Sequence, residues 1–102
     1  MASRLIVAAL ALAAAPTFAA GLSQKEARKA CDAQVAQTQA GETGFKFRRN
    51  SLADYRRGEY TFMYNYRAEA NGDTVSRKVK CVIAKTGGAI ASLEVEDGRW
   101  NF

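Results

Sequence analysis

The stretch YTFMYNYRAEA, Tyr60 to Ala70, constrains the fold more than any other part of this chain. Tyr60, Phe62, Tyr64, Tyr66 and Ala68 fall on one side of a period-two pattern, and Thr61, Met63, Asn65, Arg67 and Glu69 fall on the other. That is the signature of a strand with one buried face. Asn71-Gly72 follows at once, and a two-residue type I′ turn needs positive φ at both central positions, which Asn and Gly tolerate best. With these two residues as the loop, Tyr60 faces Ile83, Phe62 faces Cys81, Tyr64 faces Val79, Tyr66 faces Arg77 and Ala68 faces Val75. A slip of one residue would set the aromatics against Lys80, Lys78 and Ser76, so the pattern selects a single register.

The next turn, KTGGA, is settled by the same counting. A two-residue Gly87-Gly88 loop would place Cys81 opposite Glu94, whereas a three-residue loop of Thr86, Gly87 and Gly88, with Gly88 left-handed, places Cys81 opposite Leu93. Ile83 then meets Ala91, Val79 meets Val95 and Arg77 meets Asp97. On the other face Lys80 meets Glu94 and Lys78 meets Glu96. Cross-strand opposite charges contribute only ~0.2–1 kcal/mol each, but three in one register support that register. Strands are predicted at about 59–70, 73–85 and 89–97. A shorter one, GFKFR, is predicted at about 44–49, joined to the hairpin by RNSLADYRRG, and its pairing stays open.

Ahead of the strands the period changes to 3.6. Ser23 stands three residues before Glu26, the spacing of a capping box, and predicts a helix over about 24–40 with Gly41 as its stop. Ala27, Ala30, Cys31, Val35 and Thr38 share one face of small side chains, and Leu22 can pack on Ala27. The predicted fold is α+β: an N-terminal helix packed across the aromatic face of a four-stranded antiparallel β-meander, with Trp100 folding over one end of the core. Cys31 and Cys81, the only two cysteines, would tie helix to sheet. A bridge closing a loop of about fifty residues is worth ~4 kcal/mol in the loop-entropy treatment. This helix-plus-meander arrangement resembles the cystatin-like class of small exported domains.

Export is predicted independently by the first twenty residues, MASRLIVAALALAAAPTFAA. Arg4, an apolar run from Leu5 to Ala15, Pro16 and the small residues Thr17, Ala19 and Ala20 read as a signal peptide over 1–19, cleaved after Ala19 or Ala20. The apolar run is too short to span a membrane. Residues 20–102 would then form one small domain, periplasmic or secreted, of a size at which a disulfide matters. The net charge of +5 falls to +4 once Arg4 leaves with the leader.

The composition disfavours catalysis. The chain has no histidine, and bridged cysteines offer neither a thiolate nucleophile nor metal ligands, so no enzyme activity, metal or cofactor is expected. Asp54, Glu59, Glu69, Asp73, Glu94, Glu96 and Asp97 are scattered or set against cations. Lys85-Thr86-Gly87 matches a short element of serine β-lactamases, but the companion S-x-x-K and S-D-N elements are missing and a turn is the better reading. The terminal Phe102 raises the option of an outer-membrane barrel, but its eight strands of about ten residues would consume the whole mature chain and leave no room for the helix.

Two groups of residues are candidates for binding. Lys46, Arg48, Arg49, Arg56 and Arg57 lie within twelve positions, and Arg67, Lys78 and Lys80 project from the outer sheet face. Together they form a possible surface for an anionic envelope component or an acidic protein, against the plainer account of a solvated face and a charged edge that discourages aggregation. Nucleic acid is disfavoured because that face shows no aromatics for base stacking. Tyr66, Arg77 and Asp97 form a candidate rim site, against the plainer account of a structural ion pair at the end of the core. The functional expectation is a non-enzymatic binding or accessory module, such as an inhibitor or envelope-associated protein. The alternative is a structural or stress-related envelope protein that associates with itself through a strand edge or as a dimer.

Overall fold

A computed structural model describes residues 21–102. The expected leader with its cleavage point and the side chain of Arg49 lie outside the described residues. One helix, α1 (Gln24–Thr38), crosses an antiparallel sheet of β1 (Thr43–Arg56), β2 (Glu59–Ala70), β3 (Asp73–Ala84) and β4 (Ile90–Asp97), in the order β1-β2-β3-β4. The capping box forms as its spacing predicts: the Glu26 N–H donates to Ser23 Oγ at 3.1 Å and the Ser23 N–H donates to Glu26 Oε1 at 2.8 Å. These bonds to its charged form hold the Glu26 carboxyl below the usual range. The helix ends two residues earlier than expected, because the Thr38 hydroxyl donates to the Val35 carbonyl and Gln39 leaves helical geometry.

The β2–β3 register matches the sequence expectation at every inner position, from Tyr60 opposite Ile83 to Ala68 opposite Val75. Ala27, Cys31 and Val35 of α1 are fully buried against Tyr64, Val79, Cys81 and Ile83. Cys31 and Cys81 are bridged, with their Cα atoms 6.2 Å apart. Phe45 and Phe47 stack with ring centroids 5.7 Å apart and extend the aromatic layer past Tyr66.

Three expectations need correction. The first concerns the connection RNSLADYRRG, most of which is strand: β1 runs to Arg56 and pairs with β2 on both sides of irregularities at Thr43/Lys46 and Phe47/Ser51, Tyr55 opposite Tyr60 and Phe47 opposite Tyr66. Between Phe47 and Ser51 three residues of β1 oppose the single Asn65 of β2. Two extra residues bend the strand without exchanging its faces, so the ladder splits into segments 43–47 and 51–56. Counted by segment the sheet has five strands, where four were expected. The hairpin closing it turns on Arg57 (φ 54°) and Gly58 (φ 80°), nearly the angles of Asn71 (φ 53°) and Gly72 (φ 82°).

The second correction lies at the β3–β4 turn. Pairing follows the expected register from Arg77–Asp97 to Val82–Ser92, but Ile83 then faces Ile90 rather than Ala91. Ala91 is bulged outward, Gly87 and Gly88 both take positive φ, and the larger Ile90 packs against the core in place of alanine. Burying more apolar surface there outweighs one regular pair. The third correction is Trp100, which lies on the outer sheet face and not over the end of the core.

Candidate functional site

The C-terminal segment returns across the outer face after Gly98, and one buried side chain holds it. Asn65 uses both halves of its amide: Nδ2 donates to the Trp100 carbonyl at 3.1 Å, and Oδ1 accepts from the Trp100 N–H at 2.7 Å. The indole Nε1 donates to the Val79 carbonyl at 2.9 Å, and Lys78 Nζ lies 4.7 Å from the ring centroid. Asn65 is consequently only 8% exposed on a face that would otherwise be open to solvent. The clasp fixes Arg99, one residue before Trp100.

Arg99 reaches a cavity of about 170 Å³ lined by Arg48, Asn65, Tyr66, Arg67, Ser76 and Arg99. The sheet register explains the gathering. Arg67 stands opposite Ser76 on one side and Lys46 on the other, and the Gly98 N–H donates to the Ser76 carbonyl at 3.2 Å, bringing the tail to the end of the same row. Arg48 opens the two-residue bulge of β1. From across the sheet Arg28 Nη2 donates to the Arg48 carbonyl at 2.9 Å, while its guanidinium lies 3.5 Å over the Tyr64 ring and its Nε pairs with Asp32. The helix thereby pins the bulge that presents Arg48.

The electrostatics of this row are unusual for a solvated face. Lys46 and Arg67 are directly opposed like charges, an arrangement that costs stability. Among the described residues, none of Lys46, Arg48, Arg67 or Arg99 has a carboxylate within ion-pair distance. The acid one row further along β2, Glu69, accepts a hydrogen bond from the Thr74 hydroxyl at 3.0 Å and does not line the cavity.

The other basic candidates are dispersed. Arg56 and Arg57 sit at the β1–β2 turn, with Arg56 3.8 Å from Asp54. Lys78 covers Trp100 and lies 3.9 Å from Glu96, and Lys80 is set between Met63 and Glu94. The eight cations singled out from the sequence therefore do not form one patch: Lys46, Arg48 and Arg67 gather at one end of the sheet, and the turn pair is remote from them.

Tyr66, Arg77 and Asp97 do come together, on the inner face and around a residue that sequence reasoning missed. Glu42, 8% exposed, accepts from Tyr66 Oη at 2.7 Å and from Arg77 Nε at 2.9 Å, and Arg77 Nη1 also pairs with Asp97. Two carboxylates thus occupy the guanidinium, leaving it poorly suited to anchor a ligand. Burial first, and then the hydrogen bond to Glu42, push the Tyr66 hydroxyl above its ordinary pKa. Tyr64 is shifted the same way, by burial and then by the charge of Asp32, with Arg28 opposing.

Of two contributors to the outer site, Arg99 had no local signal, and alternation placed Asn65 on the outer face without showing what it would hold. Their roles depend on a chain segment that leaves the sheet and folds back over it, which strand periodicity does not encode. Among the described residues no group of His, Cys, Asp and Glu is arranged to hold a metal, and no helix is long and apolar enough to cross a membrane. The chain matches no family model, no curated protein and no solved structure.

Proposed function

We propose that this chain is a non-enzymatic, exported binding module that presents one end of its outer sheet face to an anionic partner. The observation that supports this most is the unneutralised row: Lys46 directly opposes Arg67, and Arg67 in turn lines one cavity with Arg48 and Arg99. Opposed like charges cost a fold stability, and an anion bound between them would offset that cost. Export draws on the leader read from the sequence and on the buried Cys31–Cys81 bridge, which suits an oxidising compartment. A cystatin-like likeness would agree with a binding role, but fold analogy does not supply function.

Self-association, the alternative, draws on two unpaired sheet edges, β1 and β4. Its weakness is the absence of a shared apolar patch on the β1 edge: Leu52 and Tyr55, each about half exposed, project from opposite faces.

Retention on a sulfated-polysaccharide matrix tests the anion-binding reading. It should fall with added salt as charge contacts are screened. Arg48→Ala/Arg67→Ala should elute well before Arg56→Ala/Arg57→Ala. Salt-insensitive retention, or equal elution of the two double variants, would count against this face as the binding surface.

A further inference from the structure

The cavity points to one ligand chemistry within the anion-binding reading, on which this step rests. We propose that Arg48, Arg67, Arg99 and Ser76 bind a phosphate group, either free phosphate or the terminal phosphate of a monoester. Size is the first reason. Pockets that enclose drug-sized molecules run to about 300–1,000 Å³, and at about 170 Å³ this one admits a charged group and not a whole molecule.

Donor arithmetic is the second. A guanidinium is a planar fork that grips two oxygens of a carboxylate or phosphate, and one fork satisfies one carboxylate. Three forks and a hydroxyl, with no carboxylate in the lining, exceed what a single carboxylate can accept. A phosphate monoester offers three terminal oxygens and a charge of about −1.5 to −2 near neutral pH, which the three arginines lining one cavity match.

The third reason is that the walls are held from several elements. Arg48 comes from β1, Arg67 from β2 and Ser76 from β3, while Arg99 follows β4. Arg28 fixes the carbonyl of Arg48, and the Asn65–Trp100 clasp fixes the residue after Arg99. Held backbones spare the anion the cost of ordering the bulge and the tail, leaving only the side-chain stems to be immobilised on binding.

Titration of the folded domain with inorganic phosphate and with glycerol 3-phosphate, at constant ionic strength and with acetate as the carboxylate control, provides the test. Saturable one-to-one shifts are expected at the amides of Arg67, Ser76 and Arg99, with acetate much weaker. Arg67→Gln and Arg99→Gln should each weaken phosphate by about tenfold. Tighter binding of the free anion would identify the soluble ion as the ligand, and equal or tighter binding of the ester would identify a phosphate carried on a larger molecule.

Stability gives a second readout that separates binding from a merely structural role. Arg67→Gln relieves the opposition to Lys46, so its melting temperature should equal or exceed that of the native sequence while phosphate binding weakens by that tenfold. A non-saturating titration, acetate binding as tight as phosphate, or native affinity in both arginine variants would overturn the phosphate assignment. If retention on the sulfated matrix persisted in that case, the broader anion-binding reading would stand without it. Loss of both would remove both.

Discussion

Two adjacent rows of the sheet, one residue apart on the same strands, treat their cations in opposite ways. On the inner face Arg77 is enclosed by Glu42, Asp97 and the Tyr66 hydroxyl bound to Glu42. On the outer face Arg67 stands between Lys46 and Ser76, and no described carboxylate is within ion-pair reach. A cation entering the core has to be paired, because leaving it or its partner alone there costs several kcal/mol. Solvent relaxes that demand on the outer face, so an unpaired cluster can persist there and remain available to a ligand. The inner row should accordingly govern stability, and the outer row should govern binding.

The largest effect that can test this division comes from the inner side. Cys31→Ser/Cys81→Ser, or reduction of the native chain, opens a covalent loop of 50 residues that joins α1 to β3. The expected loss is about 4 kcal/mol, a fall of roughly 20 °C in melting temperature for a domain of this size. Thermal denaturation with and without reductant measures it. An unchanged transition would mean that the helix is held by packing alone and that the bridge contributes nothing.

An intermediate effect separates two tyrosines of the same face. Tyr66 donates to the nearly buried Glu42 carboxylate, whereas the buried Tyr64 hydroxyl has no hydrogen-bond partner. Tyr66→Phe should cost about 2 kcal/mol, while Tyr64→Phe should leave stability unchanged or raise it by about 1 kcal/mol, since removing an unsatisfied polar group removes its desolvation penalty. Both hydroxyls have pKa values raised by burial above the ordinary value near 10. The folded state therefore keeps protons that the unfolded chain gives up. Their contribution is complete below about pH 10 and is lost as the pH rises beyond it. Denaturant midpoints across the alkaline range, followed with phenolate absorbance, should show this decline, and it should be shallower in Tyr66→Phe. An equal slope in the two proteins would sink the assignment.

What the sequence revealed follows the same division of faces. The β2–β3 hairpin was legible because an inner face excludes water and forces a period of two, and Asn71-Gly72 is an unambiguous turn. The β1–β2 hairpin was not legible, although Arg57 and Gly58 adopt almost the same φ values as Asn71 and Gly72. A β-branched or long side chain rarely takes positive φ, so Arg-Gly carries no turn signal of comparable strength. Alternation there is weak as well: Ala53 and Tyr55 lie opposite the buried Phe62 and Tyr60, with the Tyr55 ring 5.0 Å from that of Tyr60, yet both stay exposed at the sheet edge. The rim cluster was half legible, since register placed Tyr66, Arg77 and Asp97 in one row, but Glu42 arrives from the turn after the helix, where no period operates. The outer cavity was least legible of all. Arg48 depends on a bulge and Arg99 on a folded-back tail, and neither event leaves a periodic trace.

The smallest predicted effect uses that misread turn. Arg57 occupies a left-handed conformation that asparagine tolerates better, and the turn lies at the opposite end of the sheet from the outer cavity. Arg57→Asn should therefore raise stability by about 0.5 kcal/mol, read as a small upward shift of the denaturant midpoint. It removes a positive charge, so a surface that bound anions through net charge alone would lose affinity for phosphate. Binding at a built cavity predicts the reverse: a slightly more stable domain with the affinity of the native sequence. Reduced phosphate affinity in Arg57→Asn, matching the loss in Arg67→Gln, would erase the distinction between the two ends of the outer face and return the basic residues to a diffuse, solvated surface.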